Sequence, residues 1–225
     1  MQLSIIIPVL NEAKVLPELL AHLAPLRASG AEVIVVDGGS EDGSQLAAVR
    51  AGAQVLCTGR GRARQMNAGA AAAQGDVLLF LHADTALPPS AGQAIAAAIR
   101  RADEFVWGHF DVRIDGRMFM LRVVAMLMNW RSRLSGIVTG DQAMFVTRRA
   151  FESVGGFPDQ PLMEDIELSK RLRALSSPVC LAERAVTSGR RWETRGVWKT
   201  IWLMWRLRWL YWRGMPASEL AKLYR

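Results

Sequence analysis

Apolar runs alternate with helical patterns along the first hundred residues. Short apolar runs rich in Ile, Val and Leu occupy residues 3–9, 32–40, 53–59 and 76–84. Helical patterns separate them, at residues 12–26, 44–52 and 62–74. Continuously apolar strands that alternate with helices are typical of a parallel sheet covered on both faces. The pattern predicts a doubly wound α/β domain with ligands at the carboxyl ends of the strands.

The second half of the chain is less regular. Residues 105–115 alternate apolar and polar, which indicates an exposed or antiparallel strand, and residues 118–130 are strongly apolar. Residues 141–157 suggest a strand followed by a helix. Residues 164–175 suggest a helix with acids at its start and bases near its end, as the helix dipole favours. We expect a main domain over residues 1–190 with a helical extension over residues 191–225.

Composition and charge narrow the function classes. A hydrophobic content of 51% argues against disorder. The two cysteines lack CxxC spacing, which argues against a disulfide scaffold, and we therefore expect a cytoplasmic protein. The amino-terminal sequence does not look like a signal peptide. The net charge is +7, and residues 184–225, with ten basic and two acidic residues, contribute +8 of it. This basic tail predicts an anionic partner, either nucleic acid or a membrane surface.

Polar side chains stand at the predicted strand ends. Asp37 closes the second apolar run, Asp84 follows the fourth, and Asn11 and Glu12 follow the first. Acids at this edge are common as helix caps, but several together favour a functional cleft. His82 and Asp84 could bind a metal or form the polar end of a core strand.

Five motifs in order resemble family 2 glycosyltransferases with the GT-A fold, and most of all a small bacterial subgroup associated with radical-SAM/selenodomain proteins. They are IIIPVLNE, VVDGGSEDGS, the Arg/Asn/Gly stretch at 60–69, FLHAD and MEDIEL, spread over residues 3–175. The resemblance implies a nucleotide-diphospho-sugar donor, with Mn or Mg bridging its phosphates.

The resemblance also implies site residues. Asp84, the last residue of a DXD-like HAD motif, would ligate the metal, while His82 stands where relatives have an acid and would contact the nucleotide. Gly38 replaces a second Asp found in many relatives. The other implied contacts to the donor or acceptor are Pro8, Asn11, Glu12, Asp37, Arg62, Asn67, Ala83, Asp141, Gln142, Arg190 and Arg191.

The resemblance places the catalytic base in the Glu164–Asp165 pair, with Asp165 preferred and Glu164 as the alternate. One carboxylate would take the proton of the acceptor hydroxyl in an inverting displacement. SGRRW at 188–192 matches only the end of the QxxRW motif of processive relatives, because Ser188 replaces the glutamine. This argues against a processive synthase.

The tail carries a tryptophan stripe. Steps of 4, 3, 4 and 3 place five indoles on one side of a helix about 21 Å long, too short to span a hydrocarbon core of about 30 Å. They are Trp198, Trp202, Trp205, Trp209 and Trp212. Flanking Arg and Lys favour a helix at a membrane interface over nucleic-acid binding. The alternative is that this stripe packs on the body or across a homodimer.

These observations predict an inverting, metal-dependent glycosyltransferase with an unidentified acceptor, which could be lipid-linked. Two alternatives stay open. One is a polyprenyl-phosphate glycosyltransferase, and the other is a noncatalytic module that binds a nucleotide-sugar or docks at a membrane.

Overall fold

The computed structural model describes residues 1–101 and 104–224. Eight strands in it form one sheet. They are β1 (Leu3–Val9), β2 (Glu32–Asp37), β3 (Gln54–Cys57), β4 (Val77–Phe80), β5 (Thr85–Ala86), β6 (Trp107–Asp115), β7 (Met144–Thr147) and β8 (Val179–Ser188). The helices are α1 (Leu16–His22), α2 (Ala24–Ala28), α3 (Ser44–Arg50), α4 (Arg62–Ala72), α5 (Ala91–Arg100), α6 (Met120–Ser135), α7 (Arg148–Ser153), α8 (Glu164–Arg173), α9 (Arg190–Arg195), α10 (Val197–Trp212) and α11 (Ala217–Tyr224).

The sheet has the order β3-β2-β1-β4-β7-β6-β8-β5. The four strands that were predicted from the apolar runs are parallel neighbours, so their carboxyl ends meet at one edge. β7 is antiparallel to both β4 and β6, while β8 runs parallel to β6. Separate apolar clusters cover the two faces of the sheet. The predicted α/β fold, with a mostly parallel sheet and helices on both faces, is confirmed.

Three local expectations differ from the structure. The helical pattern at 12–26 forms two short helices, and Pro25 stands in the first turn of the second, where its missing N–H costs nothing. The segment 105–115 contains β6, which is antiparallel to β7 as expected, but β6 is an interior strand and its first four residues are buried. The strand β8 was not predicted, because few of its residues are fully buried and no apolar run marks it.

The carboxyl-terminal helices pack on the body through one face. Leu207 of α10 and Leu220 of α11 are buried in a cluster with Met163 and Ile166. The five tryptophans of α10 are instead between 54% and 79% exposed, so their stripe does not pack on the chain itself. Within the described residues, no helix is both long and apolar enough to cross a bilayer.

Candidate functional site

Asp37, the last residue of β2, is buried at the carboxyl edge of the parallel strands. Its Oδ2 accepts hydrogen bonds from the Gly39 and Ser40 backbone N–H groups at 2.9 Å and from Gln45 Nε2 at 2.8 Å. Burial alone would raise the pKa of Asp37, but these hydrogen bonds outweigh it and lower the pKa. Its buried Oδ1 has no hydrogen-bond partner among the described residues. An ionised carboxylate with one free oxygen can accept a hydrogen bond from a hydroxyl group of a ligand.

A neighbouring glutamine, Gln65, leaves little room for a side chain at position 38. Gln65 of α4 donates from Nε2 to the carbonyls of Val9 and Val36, which ties this helix to β1 and β2. A Cβ on Gly38 would lie 3.0 Å from the Gln65 amide. A second acid at position 38 would therefore need this side chain to move.

The loop after β1 places Glu12 near the fourth strand. The Asn11 backbone has a φ of 57°, and its Oδ1 accepts a hydrogen bond from the Glu41 N–H at 2.9 Å, so this side chain shapes the loop. The Glu12 carboxylate lies 4.0 Å from Arg190 Nη2. Burial raises the pKa of Glu12, and the negative charge of Asp84 raises it further against the effect of Arg190.

Three side chains could hold a metal ion together. One ligand atom from each of His82, Asp84 and Asp141 lies within 4.8 Å of the other two. Burial opposes ionisation of Asp141, but its hydrogen bond with His82 and the charges of His82 and nearby arginines lower its pKa. Two carboxylates and one imidazole form a donor set that fits Mn²⁺ better than Mg²⁺. The structure thus brings His82 and Asp141 close to Asp84, the metal ligand that the family resemblance implies.

The acid pair lies beside this group, at the start of α8. Glu164 is 2% exposed, and its Oε1 lies 3.3 Å from Arg62 Nη1 at the start of α4. Burial raises the pKa of Glu164 despite this arginine. Asp165 Oδ2 accepts a hydrogen bond from the Gly140 N–H at 3.0 Å. His82, Gly140, Glu164 and Asp165 line one small cavity of about 10 Å³.

An open cleft of about 260 Å³ lies on the other side of Asp84. Arg190 and Arg191 line it, together with Thr194 and Arg195. The two predicted arginines therefore stand next to a predicted metal ligand. Such guanidinium groups can pair with phosphate oxygens.

Four predicted contact residues have their polar side-chain atoms engaged elsewhere or have none. Both polar side-chain atoms of Asn67 bind the Phe157 backbone, at 2.8 and 3.0 Å. Gln142 is fully buried and donates to Ser132 Oγ. The remaining two, which offer no side-chain polar atom, are Pro8 and Ala83.

A family model described as glycosyl transferase family 2 matches residues 4–155. The chain belongs to this family. A "PGL/p-HBAD biosynthesis glycosyltransferase" of Mycobacterium bovis is 32% identical over 158 residues, which cover 60% of this glycosyltransferase and 61% of the relative. An uncharacterized glycosyltransferase of a Nostoc species is 32% identical over 124 residues, with coverages of 52% and 38%. The match spans less than two thirds of either relative's length.

Solved structures share the fold of this glycosyltransferase. A mannosyltransferase from Pyrobaculum calidifontis, in complex with GDP-Man and Mn²⁺, has a TM-score of 0.64 at 22% identity, covering 92% of this chain and 60% of the other. Glucosyl-3-phosphoglycerate synthase from Mycobacterium tuberculosis, in complex with Mn²⁺, UDP and phosphoglyceric acid, has a TM-score of 0.61 at 20% identity, with coverages of 81% and 68%. These likenesses confirm the GT-A fold.

Two further arginines, Arg131 and Arg208, belong to no motif of the sequence but influence the site. The charges of Asp165 and Asp141 act on both Arg131 of α6 and Arg208 of α10. Arg131 follows a strongly apolar segment, and Arg208 lies on the edge of α10 opposite the other basic residues. The sequence pattern shows only that each arginine interrupts or borders an apolar helix face. That their charges act at the acid pair follows from the packing of both helices.

Proposed function

We propose that this glycosyltransferase moves a sugar, with inversion, from a nucleotide-diphospho-sugar to an acceptor hydroxyl with the help of a divalent metal. The observation that carries the proposal is one juxtaposition at the carboxyl edge of the sheet. There the group of His82, Asp84 and Asp141 lies beside the acid pair at the start of α8. A metal–diphosphate site and a base are the two parts that such a displacement needs.

The donor is proposed to lie across the strand ends. His82, Asp84 and Asp141 would hold Mn²⁺ or Mg²⁺, which stabilises the negative charge that develops on the leaving diphosphate. Asp37 would accept a hydrogen bond from the nucleoside through its free Oδ1. Arg190 and Arg191 would bind phosphate oxygens from the cleft beside Asp84. The mannosyltransferase and synthase named above bind GDP-Man and UDP, which makes such donors the first to test.

Asp165 is proposed as the catalytic base. Its carboxylate is held by the Gly140 N–H and borders the cavity that His82 also lines. Glu164 is 2% exposed and paired with Arg62, so its carboxylate is less accessible to an acceptor hydroxyl than the half-buried Asp165. In the proposed step the acceptor O–H gives its proton to Asp165 and its oxygen bonds to the anomeric carbon. The bond from that carbon to the diphosphate oxygen breaks.

The test measures release of nucleoside diphosphate from UDP-glucose and GDP-mannose, with and without Mn²⁺. We expect Asp165→Asn to lower the rate by about 100-fold or more, since a general base contributes ~10²–10⁴-fold, and Asp84→Ala to abolish the dependence on Mn²⁺. Asp159→Asn is the control, because Asp159 is exposed and pairs only with Arg64 among the described residues. Equal rates in all three variants would overturn the assignment.

A noncatalytic module is excluded by metal-dependent turnover in that assay. A polyprenyl-phosphate acceptor is the other rival, and it is tested by adding polyprenyl phosphate to the assay, where it would attack through an oxygen that is already ionised. Asp165→Asn would then lower the rate only slightly, while Asp84→Ala would still remove the metal dependence. The two variants therefore separate the three functions.

We also propose a peripheral contact with the inner face of the cytoplasmic membrane through α10. The tryptophan stripe is exposed, and Arg206 and Arg213 lie over the rings of Trp202 and Trp209 at 5.3 Å. Indoles flanked by guanidinium groups favour the headgroup region of a bilayer. Such a position would suit an acceptor that is carried by a lipid.

A further inference from the structure

Arg131 of α6 has hydrogen-bonding atoms that nothing in the structure satisfies. Its Nε and Nη2 are buried and have no hydrogen-bond partner in residues 1–101 and 104–224. Over the same residues neither Arg131 nor Arg208 forms an ion pair within 4 Å, although ten such pairs occur elsewhere. Burying the N–H groups of a guanidinium without hydrogen-bond partners lowers the stability of the folded state. An arginine at this position is therefore better explained by a ligand than by folding.

The charges of both guanidiniums act at the proposed base, because Asp165 influences the pKa of Arg131 and of Arg208. Burial, and then the charge of Arg208, lower the pKa of Arg131 to about 10, so it stays protonated at neutral pH. Burial also lowers the pKa of Arg208. The acids that act on both are Asp165 and Asp141, but Asp165 is bonded to backbone N–H groups and Asp141 to His82. The two acids therefore act on the arginines only from a distance, and neither forms an ion pair with them within 4 Å in the described residues.

We propose that Arg131 and Arg208 bind a phosphate group on the acceptor and thereby hold a neighbouring acceptor hydroxyl at Asp165. The inference deepens the proposed function and rests on it. Two guanidiniums offer planar forks of N–H donors that match phosphate oxygens. Neither arginine lines the cleft of Asp84, Arg190 and Arg191, where the donor diphosphate is proposed to bind.

The phosphate takes no part in the bond changes. The hydroxyl proton passes to Asp165, the hydroxyl oxygen bonds to the anomeric carbon, and the nucleoside diphosphate leaves. The acceptor phosphate stays intact and serves to orient the hydroxyl. Because the two arginines lie on α6 and α10, the phosphate could belong to a lipid headgroup or to a soluble phosphate ester.

The experiment follows the thermal unfolding midpoint, which rises when a ligand binds the folded state. The soluble probe is glycerol 3-phosphate, compared with glycerol at matched ionic strength. The lipid probe is monomeric dihexanoyl phosphatidylglycerol, compared with dihexanoyl phosphatidylcholine. The variants are Arg131→Met and Arg208→Met, with Arg50→Met as the control, because Arg50 is an exposed arginine on α3.

We expect the anionic probes to raise the midpoint of the wild type and of Arg50→Met, and this shift to vanish in both site variants. A shift with glycerol 3-phosphate alone assigns a soluble acceptor, and a shift with the anionic lipid alone assigns a lipid acceptor. No shift in the wild type, or equal shifts in all variants, overturns the proposal. It is also overturned if the site variants lose stabilisation by UDP or GDP with Mn²⁺, because the arginines would then bind the donor.

Two further readouts separate the possible failures. Without ligand, Arg131→Met should unfold at the same temperature as the wild type or a higher one, since an uncompensated buried charge is removed. A purely structural arginine would instead lower the midpoint when replaced, which would count against the proposal. If nucleotides with Mn²⁺ fail to stabilise the wild type while glycerol 3-phosphate succeeds, the proposed donor site is wrong and the anion site stands.

Discussion

Gly140 leaves the room that the His82 ring occupies. A Cβ at position 140 would lie 2.1 Å from His82 Cε1 and 2.2 Å from Nε2, so Gly140→Ala must displace the imidazole. We expect the affinity for Mn²⁺ to fall by about 10–100-fold, the usual cost of disturbing groups that orient a metal ligand. Titration calorimetry with Mn²⁺ measures this change. Gly59→Ala is the control, because nothing lies within 4 Å of its added Cβ; equal affinities in the two variants would remove His82 from the metal site.

Single residues were predictable where they end an apolar strand. Asp37 and Asp84 were placed correctly at one edge, because parallel strands finish on the same side. Their partners were not predictable in the same way. Asp141 reaches His82 only because the antiparallel strand β7 returns beside β4, and Arg131 reaches the acid pair only through the packing of α6. Such contacts depend on tertiary structure that no local pattern encodes.

Helix α4 is joined to the segment after α7 by two different contacts, which gives a prediction at the scale of the element. Asn67 binds the Phe157 backbone through both side-chain atoms, whereas Arg64 pairs with Asp159 at the surface. Asn67→Ala should lower the free energy of unfolding by about 1–3 kcal/mol, because buried backbone groups lose their partners. Arg64→Ala should change it little, since exposed ion pairs are screened by water.

Denaturant unfolding of both variants tests this difference. If Asn67 only anchors the backbone, Asn67→Ala should bind the donor more weakly only to the extent that part of the protein is unfolded. Its donor affinity should then equal that of the wild type at a lower temperature, where the variant is fully folded. A stable Asn67→Ala that has lost donor binding would contradict the anchoring role and restore the contact with the nucleotide that the family resemblance implies.

Elements were predictable where burial is uniform along the segment. Three of the four apolar runs became parallel strands, β1, β2 and β4, whose faces are both covered. The fourth, β3, has no buried residue, and only its apolar run and its place in the strand–helix alternation predict it. β8 was missed because its residues are mostly half-buried, and residues 105–115 looked exposed because the second half of β6 alternates buried and exposed positions. The sequence pattern reports how one segment is buried, and it does not report which strand comes to lie beside it.

At the scale of the whole molecule, α6 and α10 both turn apolar faces outward. Both helices contribute to one packed cluster, through Val124 of α6 and Val197 and Ile201 of α10. Outside that cluster, α6 and the residue before it expose large apolar side chains, which are Phe119, Met126, Leu127, Trp130 and Leu134. Neither helix contains an acidic residue. An apolar surface on two helices whose own charged residues are all positive complements an anionic bilayer.

This surface predicts binding to vesicles that contain phosphatidylglycerol, weakening as salt rises, and little binding to phosphatidylcholine alone. The triple change Trp202→Ala, Trp205→Ala and Trp209→Ala should weaken sedimentation with anionic vesicles by roughly tenfold or more, which corresponds to about 1.4 kcal/mol. The control is Leu46→Ala with Val49→Ala, since these apolar side chains of α3 are similarly exposed. Equal binding by both variants would contradict the membrane contact. The surface instead joins two copies of the chain if the wild type does not bind vesicles and light scattering shows that it is a dimer. In that case the tryptophan variant should be a monomer.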